Sequence, residues 1–148
     1  MLKVGNRVSA VRTFTAEQVT GFAALSEDFN PVHLDAAYAS STPFGQRIVH
    51  GMFVSAMFSS LLAEKLPGPG TIYLGQELSF KKPVFFDERI TATVEIVEIP
   101  KPGVFKLRTT CTKENGEVAI EGSAVVMNKR VACEVSPPAA EPARKSAA

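Results

Sequence analysis

Apolar and polar residues alternate loosely over Val4–Phe14, VGNRVSAVRTF, and that segment is expected to form a short strand. The period then lengthens. Val19, Phe22, Ala23 and Ser26 recur at helical spacing behind Thr15. Thr15 and Gln18 have the S/T-x-x-E/Q spacing of a capping box, in which each side chain satisfies a free backbone N–H of the other. Asn30-Pro31 ends that helix, because a residue before proline avoids helical dihedrals. Leu34–Ala39 reads as one short helical turn, and Ser40–Arg47 as loop. Ile48–Leu66 predicts a second helix. It is apolar almost all round from Met52 to Ala63, as in a helix surrounded by protein, and Pro67-Gly68-Pro69-Gly70 stops it.

After Gly70 the period becomes two. Ile72, Leu74, Leu78 and Phe80 point one way, with Tyr73, Glu77, Ser79 and Lys81 on the other side. Ile90, Ala92, Val94 and Ile96 alternate with Thr91, Thr93 and Glu95, and Phe105 and Leu107 alternate with Lys106 and Arg108. Glu114-Asn115-Gly116 marks a hairpin before a last strand over Glu117–Met127. The connections have no room for helical crossovers, so the sheet should be antiparallel. One buried helix, one amphipathic helix and about five antiparallel strands fit an α+β hotdog fold, a sheet wrapped around a central apolar helix. The domain is expected over residues 1–130 and a disordered tail over 131–148. Residues 136–148 hold five alanines and three prolines but no large apolar side chain, too little to offset the entropy of ordering them.

Composition adds limits rather than direction. At 148 residues and 45% hydrophobic, the chain can build one core. A net charge of +1 gives no pull toward nucleic acid or an anionic membrane. Ile48–Ala63, the longest uncharged apolar stretch, is interrupted by His50 and serines and is shorter than the ~18–20 residues a membrane span needs. Charge breaks up the first residues, so no signal peptide is expected, and the protein is expected in the cytoplasm. Cys111 and Cys133 belong to no CxxC or Cys/His cluster. That argues against structural zinc, and both are expected as free thiols.

Two segments could carry chemistry. In Ser26–His33, SEDFNPVH, Asp28 is expected in the last turn of the first helix, facing the negative end of its dipole. His33 lies past the break. The turn can bring a carboxylate and an imidazole together around one water, an acid/base pair that requires no nucleophile or metal. The bland alternative is a capping Asp28 and a surface His33. In Phe44–Met52, FGQRIVHGM, Gly51 stands at the start of the buried helix. Its missing side chain would open backbone N–H groups to a developing enolate oxygen, or would serve close packing of helix on sheet. His50 is a second candidate base, ranked below His33 because a helix N-terminus depresses an imidazole's pKa. Gln76, on the apolar side of its strand, needs partners in the backbone or in a site. Gly122 is expected to make room for the central helix. No GxGxxG, Walker, GxSxG or HExxH pattern is present.

SEDFNPVHLD, FGQRIVHGM and YLGQELSFKKPVF together resemble the MaoC-like (R)-specific enoyl-CoA hydratases, the PhaJ type, from about residue 4 to residue 127. D-x-N-P-x-H followed at this distance by IVHG is specific to that group. The resemblance implies a homodimer that takes an acyl-CoA thioester and no cofactor or metal. Such an enzyme adds water reversibly across trans-2-enoyl-CoA to give (R)-3-hydroxyacyl-CoA. It implies Asp28 and His33 as the catalytic pair, Gly51 as the N–H that binds the thioester oxygen, and Asn30 as a positioning residue. Ser59, Leu62 and Val125 fall where the family lines its acyl pocket. The rivals are a dehydratase acting on acyl carrier protein, a hotdog thioesterase and a non-catalytic acyl-CoA-binding dimer. A thioesterase would use a carboxylate on or near the central helix, and Ile48–Ala63 has none.

Overall fold

The computed structural model describes residues 1–137. The first strand, β1, spans Arg7–Arg12. Helix α1 follows over Ala16–Ser26 with its capping box formed: Gln18 N donates to Thr15 Oγ1 at 3.2 Å, and Thr15 N to Gln18 Oε1 at 3.1 Å. Glu27 closes it in the left-handed region (φ 62°), so Asp28 lies beyond the helix rather than in its last turn. The dipole penalty expected there does not apply.

The single turn expected at Leu34–Ala39 is two short helices, α2 over Pro31–Leu34 and α3 over Ala36–Ser40. Asn30 caps α2, with Pro31 in its first turn, and Asp35 ends α2 and caps α3 through a 3.0 Å bond from Tyr38 N. The central helix, α4, runs over Gly51–Glu64 and starts three residues later than expected. Ile48 instead bridges to Phe85, and Val49 N donates to Val84 O at 2.8 Å, so these two apolar residues serve as strand.

Strands β2 (Ile72–Phe80), β3 (Ile90–Lys101), β4 (Val104–Lys113) and β5 (Val118–Met127) complete one antiparallel sheet in the order β1-β3-β4-β5-β2. Phe53, Val54, Met57, Phe58, Leu61 and Leu62 of α4 pack into one core with Ile90, Val94, Ile96, Phe105 and Leu107 of the sheet, the hotdog arrangement. Enclosure of α4 is incomplete, because Met52, Ala56, Ser59 and Ser60 are exposed along its outer face.

Two further expectations change. The alternation expected along β2 breaks at a register shift between Tyr73 and Gly75. Ile72, Tyr73 and Leu74 all stand exposed there. Gly122 makes room for a strand, not for the helix: a Cβ built on it would overlap the Glu77 carbonyl oxygen of β2 and lie 2.8 Å from its carbon.

Of the tail expected over 131–148, residues 138–148 lie outside the described residues. Residues 131–136 are attached to the domain. Leu2 N donates to Ala132 O, Glu134 N to Leu2 O and Ser136 N to Ile99 O, at 2.8 to 3.0 Å. Val131 and Cys133 pack against the core. Cys111 and Cys133 are both free, and burial pushes the Cys111 thiol up to about 12. No helix among the described residues is long and apolar enough to cross a membrane.

Candidate active site

The Asn30-Pro31 break, the bridge at Ile48 and the start of α4 converge on one cavity of about 360 Å³. Asp28, His33, His50 and Gly51 line it, with apolar walls from Phe44, Met52, Val54, Phe80, Val84 and Ile120. Lys81 and Lys82 lie along the same cavity.

Asp28 sits in the irregular stretch between α1 and α2. Its backbone N donates to Ser26 Oγ at 3.2 Å, and its Oδ1 accepts from Asn30 N at 3.1 Å. Asn30 thus holds both ends of the turn, since its own Oδ1 accepts from Val32 N. That gives the asparagine of the motif its structural job.

His33 is 7% exposed, not a surface residue. Its Nδ1 lies 2.8 Å from the Ile48 carbonyl oxygen. A carbonyl only accepts, so Nδ1 carries the proton and Nε2 presents a free lone pair. Burial lowers the His33 pKa most. The Ile48 bond raises it, the His50 ring lowers it again, and Asp28 raises it. The result lies below the ordinary 6.5, so the ring is neutral and able to take a proton near neutral pH.

His50 is placed differently. Its Nε2 lies 3.1 Å from the Asp28 carbonyl oxygen, and its Nδ1 is buried with no partner. Neither nitrogen is open to the cavity, whereas Nε2 of His33 makes no bond within the protein. The rings stack face to face, 3.8 Å between centroids and 26° between planes.

Nitrogen or oxygen atoms of Asp28, His33 and His50 lie within 4.8 Å of one another, close enough for one water to touch two of them. With His33 Nδ1 and His50 Nε2 engaged and His50 Nδ1 enclosed, two free groups remain. A protein-held metal needs three or four, so the donor set suits a bound water better.

Gly51 opens α4, where the first N–H groups have no partner within the helix. A Cβ there would come 2.5 Å from Phe80 Cε1. The missing side chain therefore makes room for the Phe80 ring while the N–H faces the cavity end of the helix.

A family model described as MaoC like domain matches residues 3–119. The chain belongs to the MaoC-like family. It is 49% identical over 127 residues to the (R)-specific enoyl-CoA hydratase of Aeromonas caviae, covering 84% of this chain and 94% of that one. It is 42% identical to the enzyme of the same name from Rhodospirillum rubrum, covering 85% and 88%. Among solved structures, the R-hydratase PhaJ1 of Pseudomonas aeruginosa in unliganded form superposes with a TM-score of 0.82 at 37% identity, covering 94% of this chain and 92% of that one.

Not every residue expected at the MaoC-like site is brought to it. Ser59, Leu62 and Val125 are not among the residues that line the cavity. Ser59 is exposed on the outer face of α4, Val125 is half-buried on β5, and Leu62 is 1% exposed within the core. Gln76 is likewise satisfied away from the site: it bonds Tyr73, the Glu77 carbonyl and Thr109 Oγ1. Sequence reasoning missed Phe80 and the two carbonyls of Ile48 and Asp28. Backbone oxygens carry no sequence signal, and Phe80 read only as the end of a strand.

Leu62→Ala is therefore expected to cost ~2–5 kcal/mol of stability, the range for a buried leucine. The chain-length profile of activity should stay as in wild type. Denaturant unfolding, together with kcat/KM across C4 to C12 enoyl thioesters, checks both.

Proposed function

We propose that this protein is an (R)-specific enoyl-CoA hydratase, adding water reversibly to trans-2-enoyl-CoA to give (R)-3-hydroxyacyl-CoA. The observation that carries the reading is the free Nε2 of a neutral His33 beside the Asp28 carboxylate at the head of α4. The two hold one water between them. His33 Nε2 takes its proton as the oxygen bonds to C3, and the C2=C3 electron pair moves toward the thioester oxygen. The Gly51 N–H and the positive end of α4 stabilise that oxygen. The proton then returns to C2 from the same face, which makes the addition syn. Apolar walls from Met52, Phe80 and Ile120 suit an acyl chain. Loss of the conjugated-thioester absorbance of crotonyl-CoA tests the reaction. An (R)-specific 3-hydroxyacyl-CoA dehydrogenase tests the product's hand. Turnover of crotonyl-acyl carrier protein in preference to crotonyl-CoA would favour the carrier-protein dehydratase instead.

The working unit is a homodimer. β2 ends the sheet with Ile72, Tyr73, Leu74 and Phe80 exposed. Beside it lies the exposed face of α4, made of Met52 and small residues. An unpaired apolar edge next to a close-packing helix face matches itself under two-fold symmetry. Sedimentation at micromolar concentration is expected to give a dimer, and Leu74→Lys to shift it toward monomer. A wild-type monomer would overturn this assembly.

A further inference from the structure

We propose that His50 is a positioning residue, a ring of fixed tautomer that ties the Asp28 segment to the head of α4 and gives His33 a surface to stack on. This rests on the hydratase reading for its kinetic consequence only.

His50 occupies the position before Gly51, with its ring 2% exposed. It caps α4 without using its side chain for the cap. The ring instead reaches across 22 residues of chain to the Asp28 carbonyl. The other two hydrogen bonds described at Asp28, from its own N to Ser26 and from Asn30 to its carboxylate, are local. They shape the turn but do not place it against α4. His50 does that, and the Asp28 carboxylate follows the main chain it is fixed to.

The same bond decides the ring's state. Nε2 must carry the proton to donate to a carbonyl. Nδ1 is then a bare lone pair, enclosed and without a donor. The titratable groups against the ring are Asp28, whose carbonyl it bonds and whose carboxylate lies within 4.8 Å of a ring nitrogen, and His33. From α1 it meets only the edge of Phe22, 4.8 Å between centroids. Lys81 and Lys82, along the same cavity, are paired with Glu121 and Glu117.

The chain has two histidines, so ring-nitrogen NMR resolves each without ambiguity. In protein labelled with ¹⁵N-histidine, one ring should be protonated at Nδ1 and titrate below 6.5. The other should be protonated at Nε2. Kinetics separate positioning from packing. His50→Gln keeps a donor at about the reach of Nε2, while His50→Phe keeps the ring and loses the donor. His50→Gln should hold kcat within about threefold, and His50→Phe should lose ~10–10²-fold in kcat with KM little changed, the scale of a displacement of about an ångström. If His50→Phe does not fold, His50→Asn replaces it, an amide too short to reach Asp28. Equal kcat in the donor and non-donor variants, or a His50 with its proton on Nδ1, would overturn the proposal. If wild type hydrates no enoyl-CoA, the functional reading fails, and the nitrogen spectra, which need no substrate, still decide the role of His50.

Discussion

Asp28→Asn and His33→Ala are each expected to lower kcat for enoyl-CoA hydration by ~10²–10⁴ while the protein remains folded. Asp28 is exposed, and an asparagine there keeps an Oδ1 that accepts from Asn30 N; His33 is buried, but its ring bonds only to a carbonyl of the adjoining bridge. Neither belongs to the hydrophobic core, so circular dichroism should be unchanged. Because both groups act on one water, the double variant should be little worse than either single one. The pH profile adds a sign. His33 must be neutral to act, and its pKa lies below 6.5, so wild-type kcat/KM should fall only on the acid side of that value. Asp28 raises that pKa, so the residual activity of Asp28→Asn should show its acid limb at still lower pH. Near-normal kcat in either folded variant would remove the mechanism.

Gly122→Ala should be among the most destabilising single-methyl changes in the chain, at about 3 kcal/mol, the upper end of overpacking costs. Gly122 pairs with Leu78 across β5 and β2. The added Cβ meets main-chain atoms of Glu77 and Leu78, which have no rotamer to escape into. The strands must separate, and β2, the edge offered to a second copy, must move with them. A lower denaturation midpoint should therefore appear together with a weaker dimer. Gly21→Ala is the control. It lies within α1 with nothing within 4 Å of the new Cβ, and alanine in an exposed helix gains ~1 kcal/mol over glycine. A Gly122→Ala variant as stable as wild type would show that β2 and β5 approach less closely than described.

What could be read from the sequence was whatever is local. The capping box at Thr15 and Gln18 and the alternation along β3 and β4 involve neighbours in the chain, and each is where the pattern puts it, whereas Asn30-Pro31 opens α2 instead of ending α1, which Glu27 closes. The errors lie where a distant partner decides. Ile48 and Val49 extend an apolar run that looks helical, yet Phe85 and Val84 claim them as strand. α4 turns Ser59 outward and Leu62 into the core, since the sheet covers only one side of the helix. Gly122 faces β2, a strand more than forty residues away in sequence, so no local pattern names the atoms it makes room for. The choice between His33 and His50 falls to two main-chain oxygens, which every residue type possesses.

The two borders of the sheet are unlike each other, and that difference limits growth. β1, at one border, is six residues long and begins and ends in arginine. β2, at the other, is longer, apolar and irregular in register. Two molecules that join through β2 bury the sticky border of each, and both ends of the enlarged sheet are then β1. Like-charged arginines at a short strand give an incoming third molecule little to pair with. In the proposed dimer, association through this surface would end at two, and the protein should stay free of fibrous or open-ended polymers even when concentrated.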